Sequence, residues 1–153
     1  MKLLIQPTEI GTLLPVGTLD NIEVPETTII TAQSRYIQPV LGSALYDAIE
    51  DGRYPDLVES LLKPALALYA YYLAVPAIAM RTGSLGIVRF KSDYYTPADS
   101  KSIAQLRHHI RSEADAAIDL LIKHIENNLS AFPEYVRAKN IRQRVSITGG
   151  IVL

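Results

Sequence analysis

The stretch Arg35–Gly52, RYIQPVLGSALYDAIEDG, has the apolar spacing of an amphipathic helix, yet Pro39 and Gly42 interrupt it. Proline at 39 removes the N–H that a helix would donate to Arg35, and its ring bends the chain at that turn. Gly42 can take the left-handed conformation that closes a helix, and Ser43 can cap the next one. The stretch therefore predicts a helix end, a corner and a short second helix that stops again at Gly52. A helix stopped and restarted within one turn points to a kinked helical body.

Upstream, Pro7, Pro15 and Pro25 leave room for one short helix near Thr8–Leu14 and then a loop. From Glu26 the apolar positions Ile29, Ala32, Ile37, Val40 and Leu41 favour helix over strand. Downstream, Pro55 opens a long helix with Asp56 and Glu59 in its first turn, where carboxylates complement the dipole. Pro64 and Pro76 are expected to break or kink that helix, which should end near Arg81–Gly83. In TPADSKSIAQL, Thr96 reads as the cap, Pro97 as the first helical residue and Asp99 as the closing member of a capping box. Ile103, Leu106, Ile110, Ala114, Leu121 and Ile125 then keep helical spacing over a span expected to run Pro97–Asn128. Two such apolar stripes predict antiparallel packing of Pro97–Asn128 against Pro64–Met80. FPEYVRAKN reads as one more short helix.

Two segments have strand chemistry: Leu85–Phe90 (LGIVRF) and the tail Val145–Leu153. The tail is expected to pair with Leu85–Phe90 of its own or an adjacent subunit, because an unpaired strand seeks an edge. The expected fold is mainly α, a small kinked helical bundle with a short β arm or hairpin built from Leu85–Phe90 and the C-terminal tail. Residues 1–153 are read as one domain, with 145–153 as its β-prone arm.

A chain of 153 residues with 48% hydrophobic content can bury a core of its own. Without cysteine, and with no secretory leader pattern, a reducing compartment is the expectation. Net charge is −1, which makes no general case for nucleic acid or membranes. Its distribution is less even. Residues 1–60 carry nine acids and three bases, whereas residues 61–153 carry seven acids and twelve bases. This polarity is either an accident of surface composition or the mark of a molecule that meets its copies head to tail. The uncharged run Pro64–Met80 is short for a membrane span and puts Tyr69, Tyr71 and Tyr72 at its middle, so it reads as a core helix.

Catalytic constellations are not visible: the chain has no cysteine nucleophile, no glycine-rich phosphate loop and no GxSxG. His109 and Glu113 stand four residues apart and could share a metal, but no second pair faces them in sequence. His108 and His124 read as solvated surface groups. No catalytic, cofactor or metal residue is assigned. Tyr69, Tyr71 and Tyr72 are either core wedges whose hydroxyls reach a partner or a stacking platform for bases. Ser112, Asp115, Asp119, Lys123 and Glu126 read as the solvated face of the long helix, with Asp119 and Lys123 spaced for an ion pair. Arg137, Lys139, Arg142 and Arg144 form a basic segment that reads as a solvated face, an interface rim or a phosphate contact.

AQSRYIQPVLGSALYDAI resembles the early helix-turn-helix of the head–tail connector proteins of tailed phages, also called head-completion or adaptor proteins. Ala32, the pair Tyr36–Ile37 and the pair Leu41–Gly42 match the family's run, and Leu45–Tyr46 matches a version common in phage and prophage sequences. Pro39 stands where the commoner members have a helix-compatible residue. LKPALALYAYYLAVPAIAMRTG is similar to the family's Ala-rich second helix, and YYTPADSKSIAQLRHHI to its polar loop and long last helix. NLSAFPEYV and the terminal TGGIVL are similar to the closing segment of some members.

The resemblance implies a structural virion protein rather than an enzyme, made in the host bacterial cytoplasm and placed at the head–tail junction. Its partners would be its own copies, in a ring that is commonly twelvefold, the portal protein above, and tail or stopper proteins below. Double-stranded DNA would pass through without sequence recognition; no cofactor, metal or membrane is implied. A helical nucleic-acid-binding or regulatory adaptor module is the second reading, and an enzyme with an inconspicuous carboxylate or tyrosine site the third.

Overall fold

The computed structural model describes residues 2–14, 24–79, 81–83, 86–88 and 99–143. Helix α1 (Pro7–Leu13) has proline at its first position, and Gln6 and Glu9 exchange the bonds of a capping box. Helix α2 (Glu26–Ala32) continues through one wide π turn, Gln33–Ile37, into α3 (Gln38–Leu41). After Gly42, α4 (Ser43–Glu50) departs at once. Helix α5 (Pro55–Leu57) passes through a second π turn, Val58–Leu62, into α6 (Lys63–Ala79). The long α7 (Ser100–Asn127) follows, and three 3-10 turns, Leu129–Ala131, Arg137–Lys139 and Ile141–Gln143, complete the described chain.

Both π turns answer the same problem. Proline inside a helix lacks a donor and presses its ring on the carbonyl four residues back. Here the residue just before each proline bonds five residues back instead: the Gln38 N–H to the Gln33 carbonyl, and the Lys63 N–H to the Val58 carbonyl. The wider turn makes room for Pro39 and Pro64, and the chain stays helical. Pro76 likewise lies inside α6. The bend expected at Pro39 and the break or kink expected at Pro64 are therefore one-turn widenings, and Pro39→Ala is expected to cost no more than about 1 kcal/mol, chiefly through unfolded-state entropy. Urea midpoints check this; a larger loss would mean that the ring itself holds the turn.

The corner is sharper than a left-handed helix cap. Gly42 has φ 79° and ψ 157°, a region that is essentially glycine-only. It is itself the cap residue of α4, and Ser43, expected to cap, is the first helical residue and makes no capping bond. The stop at Gly52 (φ 88°) is a Schellman motif, with the Gly52 N–H on the Ile49 carbonyl (2.9 Å) and the Arg53 N–H on the Ala48 carbonyl (3.0 Å).

Helices α6 and α7 are antiparallel: Tyr69 meets Asp115, while Tyr72, farther along α6, meets Arg107, earlier on α7. Buried side chains from Ile5 to Tyr135 form one apolar cluster around α6, and Ala65, Leu66, Ala67 and Ala70 are fully enclosed. Pro55–Ala79 is long and apolar enough to cross a membrane by length and composition, but half of its most apolar window is buried inside the protein.

Two buried polar side chains fasten the periphery. Gln33, in the first π turn, donates to the Lys2 carbonyl (2.9 Å) and the Tyr46 hydroxyl (2.8 Å) and accepts from the Leu4 N–H (3.0 Å). Asn140 donates to the Tyr135 hydroxyl (2.9 Å) and accepts from the Arg142 N–H (3.0 Å). Both sets meet the rule that a buried amide be bonded.

Several expectations are corrected. Among the described residues the β arm joining Leu85–Phe90 to the tail is not seen. Instead β2 (Gly86–Val88) pairs antiparallel with β1 (Arg81–Gly83), the segment expected to end the helix. A partner two residues away costs far less loop-closure entropy than one at the chain's end. Val145–Leu153 lies outside the described residues, as do Arg144, Thr96 and Pro97. Asp99 caps α7, its carboxylate accepting the Ser102 N–H at 2.7 Å. Within FPEYVRAKN only Arg137–Lys139 is helical, as one 3-10 turn rather than an α-helix.

Candidate functional site

Where α6 and α7 meet the first π turn, tyrosines and arginines gather. Tyr36 projects from the π turn, and Tyr69 and Tyr72 stand three residues apart on α6. From α7 comes the four-residue ladder Arg107, Arg111, Asp115 and Asp119, one stripe of the helix. The rings of Tyr36 and Tyr69 stack with centroids 4.3 Å apart and 7° between planes. The Arg111 guanidinium lies 4.8 Å from the Tyr36 centroid and 5.4 Å from that of Tyr69, and Arg107 lies 4.8 Å from that of Tyr72. These distances fit cation–π attraction.

Below the rings the charges close on one another. Asp115 accepts from the Tyr69 hydroxyl (2.7 Å), Arg111 Nε (2.9 Å) and Arg142 Nη2. Arg142 also donates to Asp119 Oδ1 (2.6 Å) and to the Tyr69 hydroxyl (2.9 Å). The guanidinium thereby latches the last turn of the described chain onto both long helices. Burial pushes the Asp115 carboxyl up, but hydrogen bonds from Tyr69 and Arg111 and the two guanidinium charges outweigh it and hold it below its ordinary value. Burial, with the bond to Asp115, pushes the Tyr69 hydroxyl well up. Asp115 thus stays ionised and Tyr69 stays protonated at neutral pH. The arrangement is suited to holding elements together and presenting cations, not to proton transfer.

Because the folded-state value of Asp115 is depressed, its contribution is present above the unfolded carboxylate range and is lost as pH falls through the folded value. Asp115→Asn is expected to flatten the acid limb of the stability curve below about pH 4. Urea midpoints taken across that range test it; an unchanged slope would mean that Asp115 is not the linked group.

Of the residues singled out in sequence, Tyr69 is a core wedge whose hydroxyl reaches a partner, and Tyr71 and Tyr72 are half-buried. Asp115 and Arg142 carry the latch, whereas the sequence suggested a solvated face and a basic rim. Asp119 pairs with Arg142, the role expected of Lys123. Arg137 pairs with Glu126 at 3.4 Å. His108, His109, Glu113 and His124 are exposed, and among the described residues no three of His, Cys, Asp and Glu come together as a metal site. Between α4 and α5, Arg53 and Tyr54 both bond Glu134, the tyrosine hydroxyl at 2.6 Å, while the Tyr54 ring packs on Phe132.

A family model matches residues 37–145, from the last residue of the first π turn past the arginine latch, and its description is a family of unknown function (DUF6712). The chain belongs to that family. The matched span takes in the corner, α6, α7 and every member of the cluster but Tyr36. No curated protein and no solved structure matches the chain.

Proposed function

We propose that this chain is a structural subunit of a phage or prophage virion, a head–tail connector that assembles as a ring between portal and tail around the DNA passage. The observation that carries the reading is the corner. Ala32, Ile37 and Leu41, three of the residues that carry the resemblance, are buried, and Gly42 ends one helix and begins the next with no residue between. What resembles the connector run is therefore what gives the body two faces at an angle, the shape a ring of heterologous contacts needs. The nucleic-acid adaptor reading has less behind it, since Arg142 and Arg137 of its basic segment are engaged by acids of the same chain.

Particle composition tests the proposal. Mass spectrometry of purified virions should find the chain in a fixed ratio to the portal protein, and deletion of its gene should leave DNA-filled heads without tails. Infectious particles in normal yield from the deletion strain would overturn it. Removal of residues 145–153 is expected to leave the helical circular dichroism intact and to lower incorporation into particles.

A further inference from the structure

The ladder on α7 leaves one cation over. Arg111 and Arg142 are matched by Asp115 and Asp119, but Arg107 has no acid among the described residues. Its guanidinium is held against the Tyr72 ring, and its Nε is buried with no hydrogen-bond partner. The Tyr72 ring stacks on the guanidinium, and no carboxylate among the described residues pairs with its charge, which a carboxylate from outside the chain would match. From Ser100 to Ser112 the helix also carries Lys101, His108 and His109, all exposed, and no carboxylate.

The opposite excess sits around the turn from α4 to α5. Asp47, Asp51 and Asp56 are exposed and make no ion pair among the described residues, while the nearby Arg53 and Glu59 are taken by Glu134 and Lys63. The two sets cannot meet within one molecule. Asp56 lies sixteen residues before Tyr72 on the helical run Pro55–Ala79, which places them ~24 Å apart at the helical rise.

We propose that the Arg107 end of α7 is the docking surface for Asp47, Asp51 and Asp56, the acids around the α4–α5 turn, of a second copy of this chain. The inference rests on the ring reading and adds which faces meet. Each subunit offers these acids to one neighbour and its Arg107 face to the other, a heterologous contact that closes into a ring when the rotation permits. Charge complementarity carries it: each surplus lacks an ion-pair partner among the described residues of its own chain and is matched by the other's.

Sedimentation velocity at graded protein concentration, in low and high salt, tests the contact. Wild type should gain mass with concentration, and less so in high salt. Arg107→Glu, or Asp51→Arg with Asp56→Arg, should weaken association at least tenfold. An equimolar mixture of the two reversed proteins should recover it, because both of their alternating interfaces pair opposite charges. Circular dichroism verifies folding, and Arg107→Gln with Asp51→Asn/Asp56→Asn replaces any variant that does not fold. Association indifferent to these changes, or no recovery in the mixture, would overturn the contact. So would a wild type that stays monomeric, including one that instead binds duplex DNA through Arg107. The connector reading is judged separately by particle composition and survives each of these failures.

Discussion

Tyr69→Ala is expected to be among the most damaging single changes in the described chain, at about 3–5 kcal/mol, the range for removing a buried aromatic ring. Tyr69 is 1% exposed. Its ring fills the space between α6, α7 and the stacked Tyr36, and its hydroxyl stands between Asp115 and Arg142. Truncation opens a cavity, unstacks Tyr36 and removes one of the bonds that keep Asp115 ionised in a half-buried place. Tyr69→Phe separates these contributions. It keeps the ring and leaves Asp115 with both guanidiniums, so it should cost only about 0.5–1.5 kcal/mol. Urea denaturation of both variants decides the matter. Equal losses would place the stability in the hydroxyl network rather than in the ring.

Gly42→Val is expected to cost about 1–3 kcal/mol, since no L residue adopts φ 79° with ψ 157° without strain. The reason is conformational rather than steric. A Cβ built at Gly42 would meet only the Lys139 Cβ, at 3.9 Å, an ordinary contact. Gly42→Ala should therefore lose nearly as much as valine, although alanine is small. Gly11→Ala is the control: Gly11 lies in α1 with nothing within 4 Å of the added atom. That change should be neutral or stabilise by up to about 1 kcal/mol. Melting temperatures should fall by roughly 2–4 °C for each kcal/mol lost in a chain of this length. If Gly42→Ala and Gly11→Ala behaved alike, the corner would not depend on glycine.

Helical spacing, the prolines and the glycines were enough to place α1, the paired helices at Gly42, the start at Pro55 and the long α7. They were enough because each is a local matter: a ring that fixes φ, a missing Cβ, an apolar residue every third or fourth position. Local reasoning went astray where the backbone had an alternative that composition does not reveal. Pro39 predicts a bend and Pro64 a break or kink only while a helix keeps a single hydrogen-bond spacing. A bond reaching five residues back accommodates the proline and costs little. Similarly, Gly86–Val88 has strand chemistry, but strand chemistry does not name a partner, and the nearest segment supplied it.

The cluster was the least legible part. Asp115 on a polar stripe and Arg142 in a basic run each look like solvated residues, and they are twenty-seven positions apart. Their meeting depends on the chain turning back after Asn127, where Phe132 and Tyr135 bury against the bundle. Gln33 and Asn140 had no signal beyond being polar, and only the enclosure around them makes their bonds obligatory.

The sequence by itself determined a mainly helical chain with a glycine corner and an unequal distribution of charge, because propensity, turn chemistry and net charge are properties of residues and their near neighbours. Tertiary structure alone decided which charges are neutralised. Packing α6 against α7 and returning the last turns over them consumed Arg111, Arg142, Asp115 and Asp119. Among the described residues, Arg107 and the acids of the α4–α5 turn were left without an ion-pair partner, since Asp56 and Tyr72, on which Arg107 rests, lie ~24 Å apart along one helical run.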